Sequence, residues 1–409
     1  QLRLISRPSA ILGNMGEQST FLLLGTVILL PWNCMLSAMP WFTKSTFPKN
    51  GWSATVTPAL PAVGITVQLL MIAAGDRFGA KGIRLNIYVL IFGACLSLLF
   101  IPLSIPNLIP AQFLIAVITG TLLGGFSTCF IQSCGGALLS TASPDAAAAF
   151  SNGLAFAGIV SLVVSEVTSS IFDEQIASFA LFSVCAGLFI VCVFDQMRYL
   201  RQRESLAQED KTHLSVIRHS GSEMIPEETL QATTQEPTSV WGSVARGWVQ
   251  ESIMLLNYIL TFAVFPQINL KWPAKINLSG DDYSLLMITT FQVFDLSGRL
   301  LCGSRVFKFM PGPRTNWMLL VIRLATLPFF FLGWLRPNTV FGSFPLLFII
   351  MVLFALLNGV VTTLCFIHAG TTAEVRDKDW VNRATAMCIN IGIMVGSGVC
   401  SVAQTLLQA

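Results

Sequence analysis

The chain is 409 residues long, 54% hydrophobic and 11% charged, with a mean hydropathy of +0.70 and a formal net charge of +3. A soluble globular domain carries about 25% charged residues, so this composition excludes one and points to a polytopic membrane protein in contact with lipid. The small net charge, with no basic patch interleaved with aromatics, excludes nucleic acid as a partner.

Residues 1–18 are polar and lack a signal-peptide layout, so the first apolar run is expected to stay as a span. A spanning helix needs about 20 largely apolar residues. By that rule eleven spans are predicted, near 19–40, 53–75, 86–105, 110–139, 146–171, 177–197, 247–270, 284–303, 316–335, 343–367 and 383–407. Between the sixth and seventh, Arg198 to Gly242 is polar and charged and contains Pro226 and Pro237, which predicts a loop or disordered linker. The expected architecture is all-α: a cytoplasmic N-terminus over 1–18, a six-helix bundle over 19–197, a cytoplasmic linker over 198–246 and a five-helix bundle over 247–409.

Loop charge sets the expected orientation. Arg77, Lys81 and Arg84, then Arg198, Arg201 and Arg203, then Arg305, Lys308 and Arg314, then Arg376, Lys378 and Arg383 all fall on one side. The opposite loops carry fewer basic residues, and Asp281 and Asp282 offset Lys271 and Lys275 there. The N-terminus and linker are therefore expected in the cytoplasm and the C-terminus outside, in a plasma-membrane protein. The sequon Asn277-Leu278-Ser279 falls in an expected outer loop, which marks Asn277 as a glycosylation candidate.

Polar residues inside the spans are few, and each needs a partner. Gln68, Asn358 and Asn390 are read as ordinary interhelical hydrogen-bonding groups. Asp295 and Arg299 differ: they are charged, four residues apart on one helix face, and preceded by Gln292. The pair either lines a polar path or is a structural ion pair. Arg323, in Leu319 to Leu324, is read as a packing arginine that pairs with Asp295 or with backbone carbonyls. Glu166 either reaches the membrane interface or faces the path and couples transport to protons.

In the first span, Leu29-Leu30-Pro31-Trp32-Asn33 places a proline bend beside a tryptophan, whose flat face suits a planar ring. Trp41 fits an interfacial belt. Phe265-Pro266 predicts a second bend in the seventh span. Gly120, Gly124, Gly125, Gly135 and Gly136 would let the fourth helix approach its neighbours closely. Gln132, among them, can both donate and accept. The ten cysteines all lie in apolar runs and are read as small buried hydrophobes, not as disulfides or metal ligands.

Gly75-Asp76-Arg77-Phe78-Gly79-Ala80-Lys81 resembles, in shortened form, the loop signature of the major facilitator superfamily. A more specific resemblance runs along the chain. Leu30-Pro31-Trp32-Asn33 and Phe291-Gln292-Val293-Phe294-Asp295-Leu296-Ser297-Gly298-Arg299 resemble signatures of the equilibrative nucleoside transporter family, with Gln292 where Asn is usual. Gln132, Asn152-Gly153-Leu154-Ala155, Phe265-Pro266 with Lys271, Arg323 with Pro328, and Asn358-Gly359 follow in order.

The resemblance implies a major-facilitator-like fold and nucleosides, sometimes nucleobases, as substrates. It implies that Trp32 and Gln132 contact the base, that Asp295 and Arg299 hold the ribose hydroxyls, and that Leu29, Leu36 and Phe265 form an apolar wall. Alternating access is the expected mechanism, with no cofactor, no metal and no enzymatic step, in a monomer. The competing readings are a major facilitator carrier of another solute such as a sugar, and a proton-coupled nucleoside symporter. An intramembrane hydrolase would need a nucleophile and base or metal ligands, and the only histidines are His213, His219 and His368.

Overall fold

A computed structural model describes residues 8–37, 52–73, 79–103, 110–140, 142–219, 239–266, 268, 280–302, 312–374 and 377–408. Among them no strand occurs. The helices are α1 (Pro8–Ser37), α2 (Trp52–Ala73), α3 (Gly79–Leu103), α4 (Pro110–Leu139), α5 (Pro144–Ile171) and α6 (Glu174–His219). They continue as α7 (Val240–Arg246), α8 (Trp248–Val264), α9 (Gly280–Cys302), α10 (Pro313–Leu324), α11 (Leu327–Leu335), α12 (Phe344–Thr372) and α13 (Lys378–Gln408). Every expected span falls on a helix, the ninth on the pair α10 and α11. Seven helical stretches among the described residues are long and apolar enough to cross a membrane, and three shorter apolar helices accompany them.

Three expectations need correction. The predicted loop from Arg198 is helix as far as His219, a direct continuation of α6. This stretch is polar but holds no glycine or proline, and its Leu, Arg, Gln, Glu and Ala are good helix formers. Val240–Arg246, expected in the linker, forms α7. Phe265-Pro266 ends α8 instead of bending it: Phe265 is extended, with φ −106° and ψ 137°, as a residue before proline prefers. The Phe265-Pro266 peptide bond is cis.

The first six helices pack among themselves, chiefly α1 on α5, α3 on α6 and α2 on α4; α8 packs on α13 and α12, and α9 on α12. Paired glycines bring backbones together in each group. A Cβ on Gly25 would lie 2.2 Å from the Phe150 carbonyl oxygen, and one on Gly153 2.1 Å from that of Leu22. Likewise Gly298 faces the Leu356 oxygen at 2.1 Å and Gly359 the Asp295 oxygen at 2.0 Å. Small residues at such crossings are what allow membrane helices to gain close van der Waals contact. Of the glycines read on α4, Gly135 meets the Phe150 ring and Gly136 meets backbone of Asn382 and Arg383, whereas Gly124 faces Leu96 at an ordinary 3.7 Å.

The two groups touch along two seams. α13 packs on α2 and α4, and α5 packs on α9 and α12. On the second seam the Phe150 and Phe366 rings meet edge to face at 5.5 Å, and the Ser151 and Thr363 hydroxyls share a hydrogen bond of 2.8 Å. These contacts lie toward the end at which α5 and α13 begin. At that end Arg246 of α7 makes a two-pronged ion pair with Asp377, at 2.5 and 2.7 Å, and fixes α7 to the start of α13.

Candidate functional site

Asp295 and Arg299 occupy one face of α9, and each is 3% exposed. Arg299 Nε donates to Asp295 Oδ2 at 2.9 Å. Asn358 of α12 donates from Nδ2 to Asp295 Oδ1 at 2.6 Å. A carboxylate has about four acceptor sites, so each Asp295 oxygen retains capacity for one more donor. Arg299 also reaches across the seam, with Nη1 donating to the Ser151 carbonyl oxygen at 2.9 Å and to its Oγ at 3.0 Å. Nη2 donates to the Tyr258 hydroxyl at 3.5 Å. The pair is therefore linked to both groups of helices.

Behind Asp295 the network runs on through α8. Asn257 Nδ2 and Thr261 Oγ1 each donate to Asn358 Oδ1 at 3.0 Å, which orients the amide whose nitrogen faces Asp295. Arg323, fully buried, donates to the carbonyl oxygens of Asn257 at 2.7 Å and Phe354 at 3.2 Å, to Thr261 Oγ1 at 2.7 Å, and to the Asn257 side-chain oxygen. Its guanidinium lies 4.0 Å from the Phe354 ring centroid. Of the two partners expected for Arg323, the structure supplies backbone carbonyls.

Sequence reasoning missed Asn257, Tyr258, Thr261 and Ser151. A signal existed for Asn257, a lone amide in the run Leu255-Leu256-Asn257-Tyr258-Ile259-Leu260 with Thr261 one turn on. Asn358 and Asn390 do bond between helices, as read, and Asn358 is also a direct partner of Asp295.

The other expected residues divide between the seams and the apolar cores. The Gln292 side chain lies against Gly158 of α5, so close that a Cβ there would sit 2.1 Å from its Oε1. Phe265 stacks on Phe291 at 4.0 Å, one turn before Asp295. Trp32 is buried in the apolar cluster that also holds Leu30, Tyr258 and Ile389, and Leu29 is half-buried against it. Asn33 turns its amide back onto the Leu29 carbonyl oxygen at 2.9 Å. Gln132 lies on the first seam, bonded to α13. Asn152, beside Ser151, has a buried Oδ1 with no hydrogen-bond partner. Glu166 is exposed. Nine of the ten cysteines are buried, and Cys95 is exposed. Trp41, Gly75 to Phe78, Lys271, Asn277 and the side chain of Leu36 lie outside the described residues.

Two helical groups meet across polar seams, and the ion pair of α9 reaches the first group through Arg299, in a fold shared with solved major facilitator structures. The chain is similar to the E. coli fucose:proton symporter FucP, with a TM-score of 0.57 at 12% identity over 97% of this chain and 92% of that one. It is similar also to the proton:xylose symporter XylE bound to 6-bromo-6-deoxy-D-glucose, with a TM-score of 0.55 at 12% identity over 97% of this chain and 94% of that one. These likenesses concern the fold. Comparison with curated proteins found no match.

The family model described as Nucleoside transporter matches residues 103–405. The chain belongs to the nucleoside transporter family and is an integral, multi-pass membrane transporter of small molecules. The family match does not favour a sugar or another major facilitator solute as the cargo.

Proposed function

We propose that the protein carries nucleosides, and some nucleobases, down their gradients by alternating access of two bundles, 19–197 and 247–409, joined through 198–246. The ribose diol donates to the free acceptor sites of Asp295 and receives from Arg299, with Gln292 beside them. Trp32 offers a face to the base and Gln132 its amide edge. Leu29, Leu36 and Phe265 form the wall. No cofactor, metal or chemical conversion enters the cycle, and a monomer suffices. The N-terminus is cytoplasmic, the C-terminus is extracellular, Asn277 carries glycan, and the membrane is the plasma membrane.

The observation that carries this reading is Asp295, bonded from two sides and still able to accept, with its arginine touching the opposite bundle. A single ligand there contacts both halves, which is what links occupancy to rocking. The test is uptake of labelled adenosine, uridine, hypoxanthine and glucose into vesicles that contain the purified protein. Uptake of adenosine or uridine is expected, unchanged when the proton gradient is collapsed. Uptake of glucose alone would sink the nucleoside reading, and loss of uptake with the gradient would sink the passive one.

A further inference from the structure

The carbonyl of Gln132 is fully occupied by protein. Its Oε1 accepts from Gln68 Nε2 of α2 at 3.3 Å and from Asn390 Nδ2 of α13 at 2.9 Å. Its Nε2 donates to the Ala386 carbonyl oxygen of α13 at 3.2 Å. Asn390 Nδ2 also donates to Gln68 Oε1 at 3.0 Å. Gln68 and Gln132 are each 1% exposed and Asn390 5%. A Cβ on Gly64 of α2 would lie 2.0 Å from Cys129 Sγ and 3.9 Å from the Asn390 side chain, so α2 and α4 pack closely beside the three amides.

An amide oxygen has two lone pairs, and both of these are taken. A base edge that needs a donor and an acceptor from the same amide finds no acceptor while Asn390 and Gln68 donate to it. The tie joins the two helical groups: Gln68 and Gln132 belong to the first, Asn390 and Ala386 to the second. We infer that Asn390 is a positioning residue that competes with the base for the Gln132 carbonyl. A nucleoside gains the Gln132 amide only as the α4–α13 tie opens, so its arrival weakens the seam that holds the groups together. The ligand class that drives this is a nucleoside whose base presents a hydrogen-bonding edge. The inference rests on the nucleoside reading above.

The test uses the full chain in detergent and two ligands: adenosine, and phenyl riboside, which keeps the ribose but replaces the base with a benzene ring. Asn390→Leu should lower the Kd of adenosine relative to that of phenyl riboside by about threefold, the scale of one interhelical hydrogen bond in a membrane. That gain should vanish in a Gln132→Leu background. Gln68→Leu leaves α13 intact and should shift the ratio the same way, which keeps the test open if Asn390→Leu does not fold. An unchanged ratio overturns the proposal, and so does weaker adenosine binding, which would make Asn390 a direct base contact. Wild-type protein that binds neither ligand overturns the nucleoside reading itself.

Discussion

Asp295 is restrained from two directions and still has something to offer. Arg299 and Asn358 take one acceptor site on each oxygen, and hydroxyls can take the remainder. Two hydrogen bonds to a charged group, at about 1.5 kcal/mol each, correspond to about a hundredfold in affinity. Asp295→Ala should therefore cut initial adenosine uptake by about that factor, while the amount of protein at the surface falls far less. Equal losses of both would make the pair purely structural. Arg323 differs because all its hydrogen bonds stay within the second helical group, so it holds α8 and α12 together and makes no hydrogen bond to Asp295. The charged pair could be read from the sequence because two charges four residues apart stand out in an apolar run. Its supports could not. Asn257, Thr261 and Ser151 are uncharged, and their meeting depends on which faces of α5, α8, α9 and α12 come together, which the pattern within one helix does not encode.

Helix contacts are set where glycine removes a side chain. Gly298 and Gly359 bring α9 onto α12 just where Asp295 and Asn358 bond, so the crossing that packs the helices also sets the geometry of the carboxylate. Gly359→Ala should lower both yield and melting temperature in detergent, because its new carbon would meet backbone that cannot move aside. Gly398→Ala is the matched control, since nothing lies within 4 Å of its Cβ position, and it should melt as the wild type does. Helix positions were legible from apolar run length alone. Their ends were less so: polarity suggested a loop after Arg198, but without glycine or proline the helix persists to His219. The Phe265-Pro266 step predicts a bend, but the residue before a proline is steered out of the helical region, and here the helix stops.

At the scale of the whole molecule, the two groups are held by ties that the proposed alternating access would make and break in each cycle. Ser151 and Thr363 meet across one seam, their oxygens 2.8 Å apart. With cysteine at both positions, oxidation should link α5 to α12 and stop adenosine uptake, and a thiol reductant should restore it. Uptake that persists after complete cross-linking would show that this seam need not open. The long sixth helix adds a mechanical consequence. Its 46 residues make a rod of about 69 Å at 1.5 Å per residue, against a hydrocarbon core of about 30 Å. The part beyond residue 197 acts as a lever arm of about 33 Å, whose tip sweeps about 6 Å for a 10° tilt of its bundle. Val240, by contrast, begins a helix clamped to the other bundle through Arg246 and Asp377. A dye at Arg218 and another at Trp241 would thus turn a small rotation deep in the membrane into a measurable change of distance in water when adenosine is added.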